Sequence, residues 1–251
     1  MTSDPIRRLK TYGRDLSTLP LSRLPETFDK VCFLCVNSYT SYRLSLGTGP
    51  INDGVNFAKR MKTTFGFEVY FYHNPHCKAF LNYLDAFFSK TTGHLVFFYV
   101  GHGTNVTDTD GDEADKKDEA LVFEDGNIPD DVLIDHLISQ KNPANKLTLV
   151  TDACHSGSIW DIQSGNANGR KLPERIISVS AATDAQTAKQ TTINRQDQGV
   201  FTYNLAKKLK TNPESTPNQL KTALKKELRK YGQTFSVAST TKEFLTQPLF
   251  E

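Results

Sequence analysis

LVFFYVGHG (residues 95–103) and KLTLVTDACHSG (residues 146–157) are the two stretches that decide the fold. Each is a run of apolar and β-branched residues that ends abruptly on polar residues, one with His102 and the other with Cys154. Runs of this kind are typical of strands buried on both faces of a parallel sheet. Because the carboxyl ends of parallel strands meet at one sheet edge, we expect the imidazole and the thiol to lie close together. The pair predicts an enzyme with a cysteine nucleophile.

The rest of the chain alternates short apolar runs with amphipathic segments, which predicts one α/β domain over residues 30–251. We expect a central, mostly parallel sheet with helices on both faces, preceded by an extended arm (1–29) that contains three prolines. The acidic segment between the two deciding stretches predicts an irregular functional loop. The predicted strands are 30–39, 67–72, 95–100, 146–152 and 175–182, with short closing strands in FSVAS (235–239) and FLTQPLF (244–250). The predicted helices are 52–64, 76–90, 199–209 and one that opens with a capping box at Thr216 to Gln219.

Composition narrows the range of partners. Hydrophobic residues make up 37% of the 251 residues, yet no apolar run approaches the roughly 18 residues that span a bilayer. The N-terminal MTSDPIRRLKTYGRDL lacks the apolar region of a secretory signal, and four cysteines are too few for a disulfide scaffold, so we expect a cytoplasmic protein without a membrane partner, with entry into the nucleus left open. We also expect a monomer. The lysines of KTALKKELRK (221–230) fit a solvated helix face, and no nucleic-acid motif accompanies them, so no nucleic-acid partner is expected.

The chemistry of the strand ends centres on Cys154 and His102. A thiolate attacks carbonyl carbon, so a nearby base must take the thiol proton, and His102 is the candidate. Gly101 and Gly103 flank the histidine and allow close backbone approach, and the amides of Gly103 and Cys154 are candidate oxyanion donors. Taken alone, Cys154 is better explained as a small buried hydrophobe, and it is the GHG at the end of a matched strand that favours the nucleophile. No third triad member stands out, which favours a dyad.

Other residues near these stretches admit two interpretations. Asp152 points to the same side of its strand as Cys154, where it would attract a cationic substrate group or would serve as a helix cap or hydrogen-bond acceptor at the strand end. Cys32 and Cys35 have the spacing of a redox or zinc motif, but in a strand they face opposite sides, so we interpret both as core residues. His155 follows the nucleophile directly, and its side chain should point away from Cys154.

GHG, then the acidic DGDE, then D-x-C-H-S-G about fifty residues later is a combination that resembles the metacaspases. The resemblance runs from about residue 30 to the C-terminus and includes the IND at 51–53 and a TQP near the end. It implies a single caspase-like domain, with His102 and Cys154 as the catalytic dyad of a cysteine endopeptidase. The arm at 1–29 is short by comparison with the prodomains of some relatives, and we expect it to cover the substrate cleft.

The resemblance also implies cleavage after arginine or lysine in protein or peptide substrates. Asp53 and Asp152 match the acidic pocket residues of the family, and two carboxylates would pair with one basic side chain. Val100 before the GHG and Pro50 upstream of Asp53 depart from the small or thiol residues often found there, which leaves open whether arginine or lysine is preferred.

Calcium is the cofactor that the resemblance implies, since Asp118, Asp130, Asp131 and Asp161 match calcium-binding aspartates. Asp161 lies seven residues after Cys154, so metal binding would order the loop beside the nucleophile. The DTDGDEAD run at 108–115 looks like an EF-hand, but its glycine is misplaced, and we interpret the run as a solvated loop.

Self-processing is the last implied property, with candidate sites at Arg170-Lys171, Lys189 and Arg195. Two alternatives to the protease remain open. One is a catalytically silent regulatory or scaffold protein that keeps the fold, and the other is a thiol hydrolase that uses the same dyad on a non-peptide amide.

Overall fold

The computed structural model describes residues 4–107, 117–140, 144–154, 159–160, 162, 165–167, 170–181, 190–193 and 196–251. Its helices are α1 (Pro5–Tyr12), α2 (Gly49–Thr63), α3 (Cys77–Lys90), α4 (Asp130–Ser139), α5 (Val200–Thr211) and α6 (Pro217–Arg229), with 3₁₀ turns at Leu21–Arg23 and Lys242–Leu245. Its strands are β1 (Arg14–Asp15), β2 (Phe28–Val36), β3 (Glu68–His73), β4 (Thr91–Val100), β5 (Gly103–Thr107), β6 (Lys117–Phe123), β7 (Gly126–Pro129), β8 (Lys146–Asp152), β9 (Asn166–Ala167), β10 (Arg170–Lys171), β11 (Ile176–Ser180), β12 (Gln190–Ile193), β13 (Gln196–Gly199) and β14 (Ser236–Ser239). None of the helices in these ranges is long and apolar enough to cross a bilayer.

A seven-stranded sheet organises the molecule in the order β1-β3-β2-β4-β8-β11-β14. Every neighbouring pair is parallel except β11 and β14, so the predicted mostly parallel sheet is confirmed. The two deciding stretches form β4 and β8, which are neighbours, and Val100 pairs with Asp152 at their ends. This register brings the residues that follow the two strands together at one sheet edge.

Two apolar clusters cover the two faces of this sheet, as the alternation of side chains along buried strands requires. Helices α3 and α4 pack on one face, where Phe33 stacks on Phe87 with ring centroids 4.9 Å apart. Helices α1, α2, α5 and α6 pack on the other, where Phe57 stacks on Phe98 at 4.3 Å. Burying one such side chain contributes about 1.5–3 kcal/mol. The expected helices on both faces are therefore confirmed.

The cysteine pair of β2 behaves as its spacing predicts. Cys35 belongs to the cluster under α3, Cys32 belongs to the cluster under α2, and both side chains are fully buried. Burial raises the pKa of both thiols, so neither has the low pKa of a redox-active or metal-binding cysteine. The interpretation of both as core residues is confirmed.

Three elements differ from the expectations. The acidic segment after β4 carries an antiparallel sheet of β5, β6 and β7 followed by α4, because ALVF at 120–123 is a buried strand core. The N-terminal segment, residues 4–29 of the part that the structure describes, is not extended.

Helix α1 begins with a proline at its first position and a cap from Asp4, and β1 pairs with β3 at the sheet edge. FLTQPLF forms no strand, and its first residues close a 3₁₀ turn. Coverage of the cleft by residues 1–29 stays a prediction.

Candidate active site

The backbones that follow β4 and β8 are in direct contact. The amide of Gly101 donates to the carbonyl of Asp152 over 3.3 Å, which continues the pairing of the two strands by one residue. A Cβ atom at Gly103 would lie only 1.9 Å from the carbonyl oxygen of Cys154. Only glycine allows this approach, so the glycines of GHG bring the segment of His102 against that of Cys154.

The ring of His102 is held on two sides by residues that precede α2. Its Nε2 lies 2.8 Å from the carbonyl oxygen of Leu44, and its plane stacks on the ring of Tyr39 with centroids 5.0 Å apart. A carbonyl oxygen only accepts hydrogen bonds, so Nε2 carries the proton and Nδ1 is left as the basic atom. The histidine therefore has a backbone carbonyl as its hydrogen-bond partner, which no residue type in the sequence could reveal.

The main chain of His102 is fixed by two buried tyrosines. Its amide donates to the hydroxyl of Tyr39 over 2.7 Å, and its carbonyl accepts from the hydroxyl of Tyr99 over 2.8 Å. The Tyr39 hydroxyl donates to the carbonyl of Val122 on β6, and the Tyr99 hydroxyl shares its one proton between the carbonyls of His102 and Val122. Burial raises the pKa of both phenols, so they stay protonated and keep donating. His102, the candidate base, is thus set in a rigid frame built from β4, β6 and the segment that follows β2.

The nucleophile candidate, Cys154, carries a free thiol that is partly exposed at the end of β8. The amides of Gly103 and Cys154 remain predicted oxyanion donors. His155 and the rest of the C-H-S-G signature lie outside the described residues, as do Lys189, Arg195 and the DGDE segment. Arg170 and Lys171 form the short strand β10, where both are exposed.

Asp53 and Asp152 converge on Gly199 although they come from α2 and β8. The amide of Gly199 donates to both carboxylate oxygens of Asp53, over 2.9 and 2.8 Å. A Cβ atom at Gly199 would lie 2.6 Å from Oδ2 of Asp152 and 2.9 Å from Oδ2 of Asp53. The two aspartates that the resemblance places in one pocket therefore lie together, and Asp53 is 0% exposed and Asp152 5% exposed.

Burial makes a pair of negative charges unfavourable here. Desolvation, followed by the charge of Asp152, raises the pKa of Asp53 well above its ordinary value, and desolvation raises that of Asp152 to about 6. A cation placed between the carboxylates would favour their ionised forms. Asp152 also accepts from the hydroxyl of Thr202 over 2.6 Å and from its amide over 3.3 Å. The interpretation of Asp152 as a hydrogen-bond acceptor at the strand end is therefore confirmed, and its role in binding a cationic substrate group stays a prediction.

The residues that frame this pair were not apparent in the sequence. Gly199 ends β13 and Thr202 lies in the first turn of α5, about 146 and 50 positions from their partners. The β12–β13 hairpin is tied to α2 by Asn52, which donates to the carbonyl of Asp197 over 2.9 Å, and by Asn56, which donates to Gln198 over 2.8 Å. Gly199 and Thr202 hold the two aspartates in place, and no local sequence motif indicates this role.

A second cluster gathers three of the four aspartates that the resemblance assigns to calcium. Asp118 on β6 and Asp130 and Asp131 at the start of α4 place carboxylate oxygens within 4.8 Å of one another. Burial raises the pKa of Asp130 to about 8. An all-carboxylate donor set that is costly to ionise without a counter-charge fits a hard divalent cation. Asp161 lies outside the described residues.

The fold and this site define an α/β protein with a histidine and a cysteine at neighbouring strand ends. Two solved structures share the fold. A protein from Geobacter sulfurreducens has a TM-score of 0.64 at 18% sequence identity, and the match covers 88% of this chain and 97% of the other chain. Caspase-1 from Spodoptera frugiperda has a TM-score of 0.62 at 16% identity and covers 88% and 92%.

Sequence comparison leads to the family. Residues 29–248 match the family described as Caspase domain, and the chain belongs to that family. Metacaspase-1A of Neurospora crassa is 42% identical over 72 residues, which are 27% of this chain and 16% of the relative. Metacaspase-1 of Ajellomyces capsulatus is 27% identical over 205 residues, with 58% of each covered. The chain thus spans less than two thirds of these relatives, and the resemblance to metacaspases is confirmed.

Proposed function

We propose that this protein is a cysteine endopeptidase that cleaves after arginine or lysine. The observation that carries the proposal is the meeting of Asp53 and Asp152 at Gly199. Two buried carboxylates suit a cationic side chain, and Asp152 lies two residues before the partly exposed thiol of Cys154, so that side chain would bind beside the scissile bond. An acidic side chain would be repelled by the same pair. The family membership supports peptide-bond hydrolysis as the reaction.

In the proposed mechanism, Nδ1 of His102 takes the proton of the Cys154 thiol, and the thiolate adds to the carbonyl carbon of the substrate. The amides of Gly103 and Cys154 bind the oxyanion of the tetrahedral intermediate. When the intermediate collapses, the C–N bond breaks, His102 gives its proton to the leaving amine, and an acyl-enzyme remains. Water then adds with His102 as the base, and the thiol is released. The hydrogen bond from Nε2 to Leu44 stabilises the imidazolium that forms.

Calcium is proposed as the cofactor, held by Asp118, Asp130 and Asp131, with Asp161 as the fourth ligand that the resemblance implies. When bound, the cation would supply charge that neutralises the carboxylates and orders the chain around β6 and α4. Self-processing at Arg170-Lys171 is proposed on the exposure of both residues. These properties regulate the peptidase and are separable from the dyad.

A panel of fluorogenic peptides ending in arginine, lysine or aspartate, assayed with calcium and with chelator, tests the proposal. We expect calcium-stimulated cleavage of the two basic peptides and none of the acidic one. Cys154→Ala should abolish cleavage, whereas Cys77→Ala, which removes the other partly buried thiol of the described residues, should not. Absence of any turnover by the wild-type protein would contradict the protease proposal and favour the catalytically silent scaffold protein. Cleavage of small amides alone would favour the other thiol hydrolase.

A further inference from the structure

The residues that hold His102 lie on one segment, 37–48, which joins β2 to α2 and contains neither helix nor strand. Tyr39 contributes its hydroxyl and its ring, and Leu44 contributes its carbonyl. A connection of this kind has few internal constraints, so its precision must come from outside anchors. The residues that anchor the 37–48 segment therefore determine how precisely the imidazole of His102 is oriented.

The inner end of the 37–48 segment is anchored by Asn74, which follows β3. Its side-chain oxygen accepts from the amides of Ser38 and Tyr39 over 2.9 and 3.0 Å. These bonds hold Tyr39 at a φ of 61°, a left-handed conformation that costs about 1 kcal/mol for a residue other than glycine. The turn at Tyr39 aims its ring at His102.

The outer part of the 37–48 segment is anchored by Glu124, in the turn between β6 and β7. One carboxylate oxygen accepts from the amide of Thr40 over 3.0 Å, and the other accepts from the Thr40 hydroxyl and the Ser41 amide, each over 2.7 Å. Hydrogen bonds to Thr40 lower the pKa of this carboxyl, so it stays ionised at neutral pH. The carboxylate thus binds three donors on two successive residues.

From Ser41 the contacts lead directly to the imidazole. The carbonyl of Ser41 accepts from the amides of Leu44 and Ser45 over 3.1 and 2.9 Å, which forms the turn that presents the Leu44 carbonyl to His102. The strand that ends beside Glu124 also supplies Val122, whose amide donates to the carbonyl of His102 over 3.1 Å. One hairpin, β6–β7, therefore holds both the main chain of the histidine and the segment that fixes its side chain.

We propose that Glu124 is a positioning residue for His102, acting through Ser41 and Leu44 to fix the proton on Nε2 and leave Nδ1 free. The inference rests on the proposed role of His102 as the base. It makes the orientation of the imidazole depend on a carboxylate that touches neither the thiol nor the substrate. Stacking on Tyr39 alone does not distinguish the two ring orientations that are related by a half-turn about the Cβ–Cγ bond, whereas the contact of Nε2 with the Leu44 carbonyl does.

The experiment compares wild type, Glu124→Ala, Glu124→Gln and Glu227→Ala by the ¹⁵N shifts of the His102 ring and by steady-state kinetics. Glu227 is the control, since it lies on α6 and pairs only locally with Lys230 among the described contacts. We expect a pure Nε2-protonated ring in wild type and in E227A and a mixture of tautomers in E124A. The kcat of E124A should fall about 10- to 100-fold with KM nearly unchanged, and E124Q, which keeps one acceptor oxygen, should recover part of it.

This experiment tests the positioning role of Glu124 and the peptidase activity independently. An unchanged ring spectrum and an unchanged kcat in folded E124A would overturn the role of Glu124 while leaving the peptidase intact. A tautomer mixture in E124A together with no wild-type turnover would overturn the peptidase and keep the positioning role. If E124A does not fold, E124Q and Thr40→Val, each of which removes part of the same bonding, carry the comparison.

Discussion

The hydroxyl of Thr202 donates to Oδ2 of Asp152 over 2.6 Å, from the first turn of a helix that begins 48 residues further along the chain than the carboxylate. This bond and the Thr202 amide lower the pKa of Asp152 and so oppose the rise that burial causes. The helix N-terminus adds its own attraction for negative charge. The N-terminus of α5 thereby keeps one of two crowded carboxyls closer to ionisation than burial alone would allow.

Thr202→Val, which preserves shape and removes the hydroxyl, should therefore raise the pKa of Asp152. A smaller ionised fraction binds a basic side chain less well, so KM for an arginine peptide should rise about 10-fold near neutral pH. The acidic limb of kcat/KM against pH should move to higher pH. Thr211→Val is the matched control, because that threonine ends the same helix and its hydroxyl bonds only to backbone carbonyls. Identical limbs in both variants would contradict the role of Thr202.

Gly199→Ala should close the pocket without touching the dyad. The added Cβ would lie 2.6 Å from Asp152 and 2.9 Å from Asp53, so a carboxylate or the β13 backbone must move. We expect kcat/KM for arginine and lysine peptides to fall about 100-fold.

Alkylation of Cys154 by iodoacetamide, measured in the same samples, separates the pocket from the nucleophile. Its rate should match that of wild type, because the reagent needs no acidic pocket. A parallel loss of alkylation would mean that the substitution disturbs the strand end as a whole. Full activity toward basic peptides would mean that the carboxylates do not bind the substrate.

From the residues alone, the site can be predicted where chemistry and strand geometry are both local, and the family resemblance adds Asp53 and the three clustered aspartates. His102, Cys154 and Asp152 follow buried runs, so strand pairing alone brings them together. Leu44 acts through a carbonyl that every residue has, and Gly199 acts through an amide, so neither has a side-chain signature.

The fold, too, could be predicted where the pattern is local and not where it depends on distant packing. The long apolar strands and the amphipathic helices are specified by their own periodicity, and the capping box at Thr216 forms as expected. The small sheet β5–β7 differs from the expected irregular loop because its strands lie in a strongly acidic context that hides their apolar pattern. The 3₁₀ turn at 242–245 depends on packing against α6 and β14 rather than on its own apolar pattern.

Asp53→Asn should stabilise the protein at neutral pH. A carboxyl with a pKa above its ordinary value of 3.8 binds its proton more tightly in the folded state, so the free energy of unfolding falls as pH rises from about that value through the folded pKa. Asparagine removes one charge of the buried pair and should raise stability by about 1–3 kcal/mol at pH 7, with little change at pH 4.

Thermal melts of wild type and D53N between pH 4 and 7 measure this difference, in which the titration of the Asp130 cluster cancels. A guanidinium ligand such as agmatine should raise the melting temperature of wild type and do so much less in D53N, because it supplies the missing counter-charge. Equal pH slopes for both proteins would show that the two carboxyls do not repel each other in the folded state.

Asp130→Asn should remove calcium binding. Burial raises the pKa of Asp130 to about 8, and only the ionised form is a good ligand, so binding must displace a proton. Calcium affinity should therefore increase with pH up to about 8 and level off above it. Titration calorimetry at pH 6.5 and 8.5, in buffers of different ionisation enthalpy, counts the released protons directly.

Asp135→Asn is the matched control, since Asp135 lies on the same helix and pairs with Arg170 at the surface. It should bind calcium as wild type does and release the same number of protons. In D130N the heat of binding and the calcium-induced rise in melting temperature should both disappear, because the remaining carboxylates lack one charge and one ligand. Equal binding by D130N and D135N would place the calcium site elsewhere and leave the cluster as a structural feature of β6 and α4.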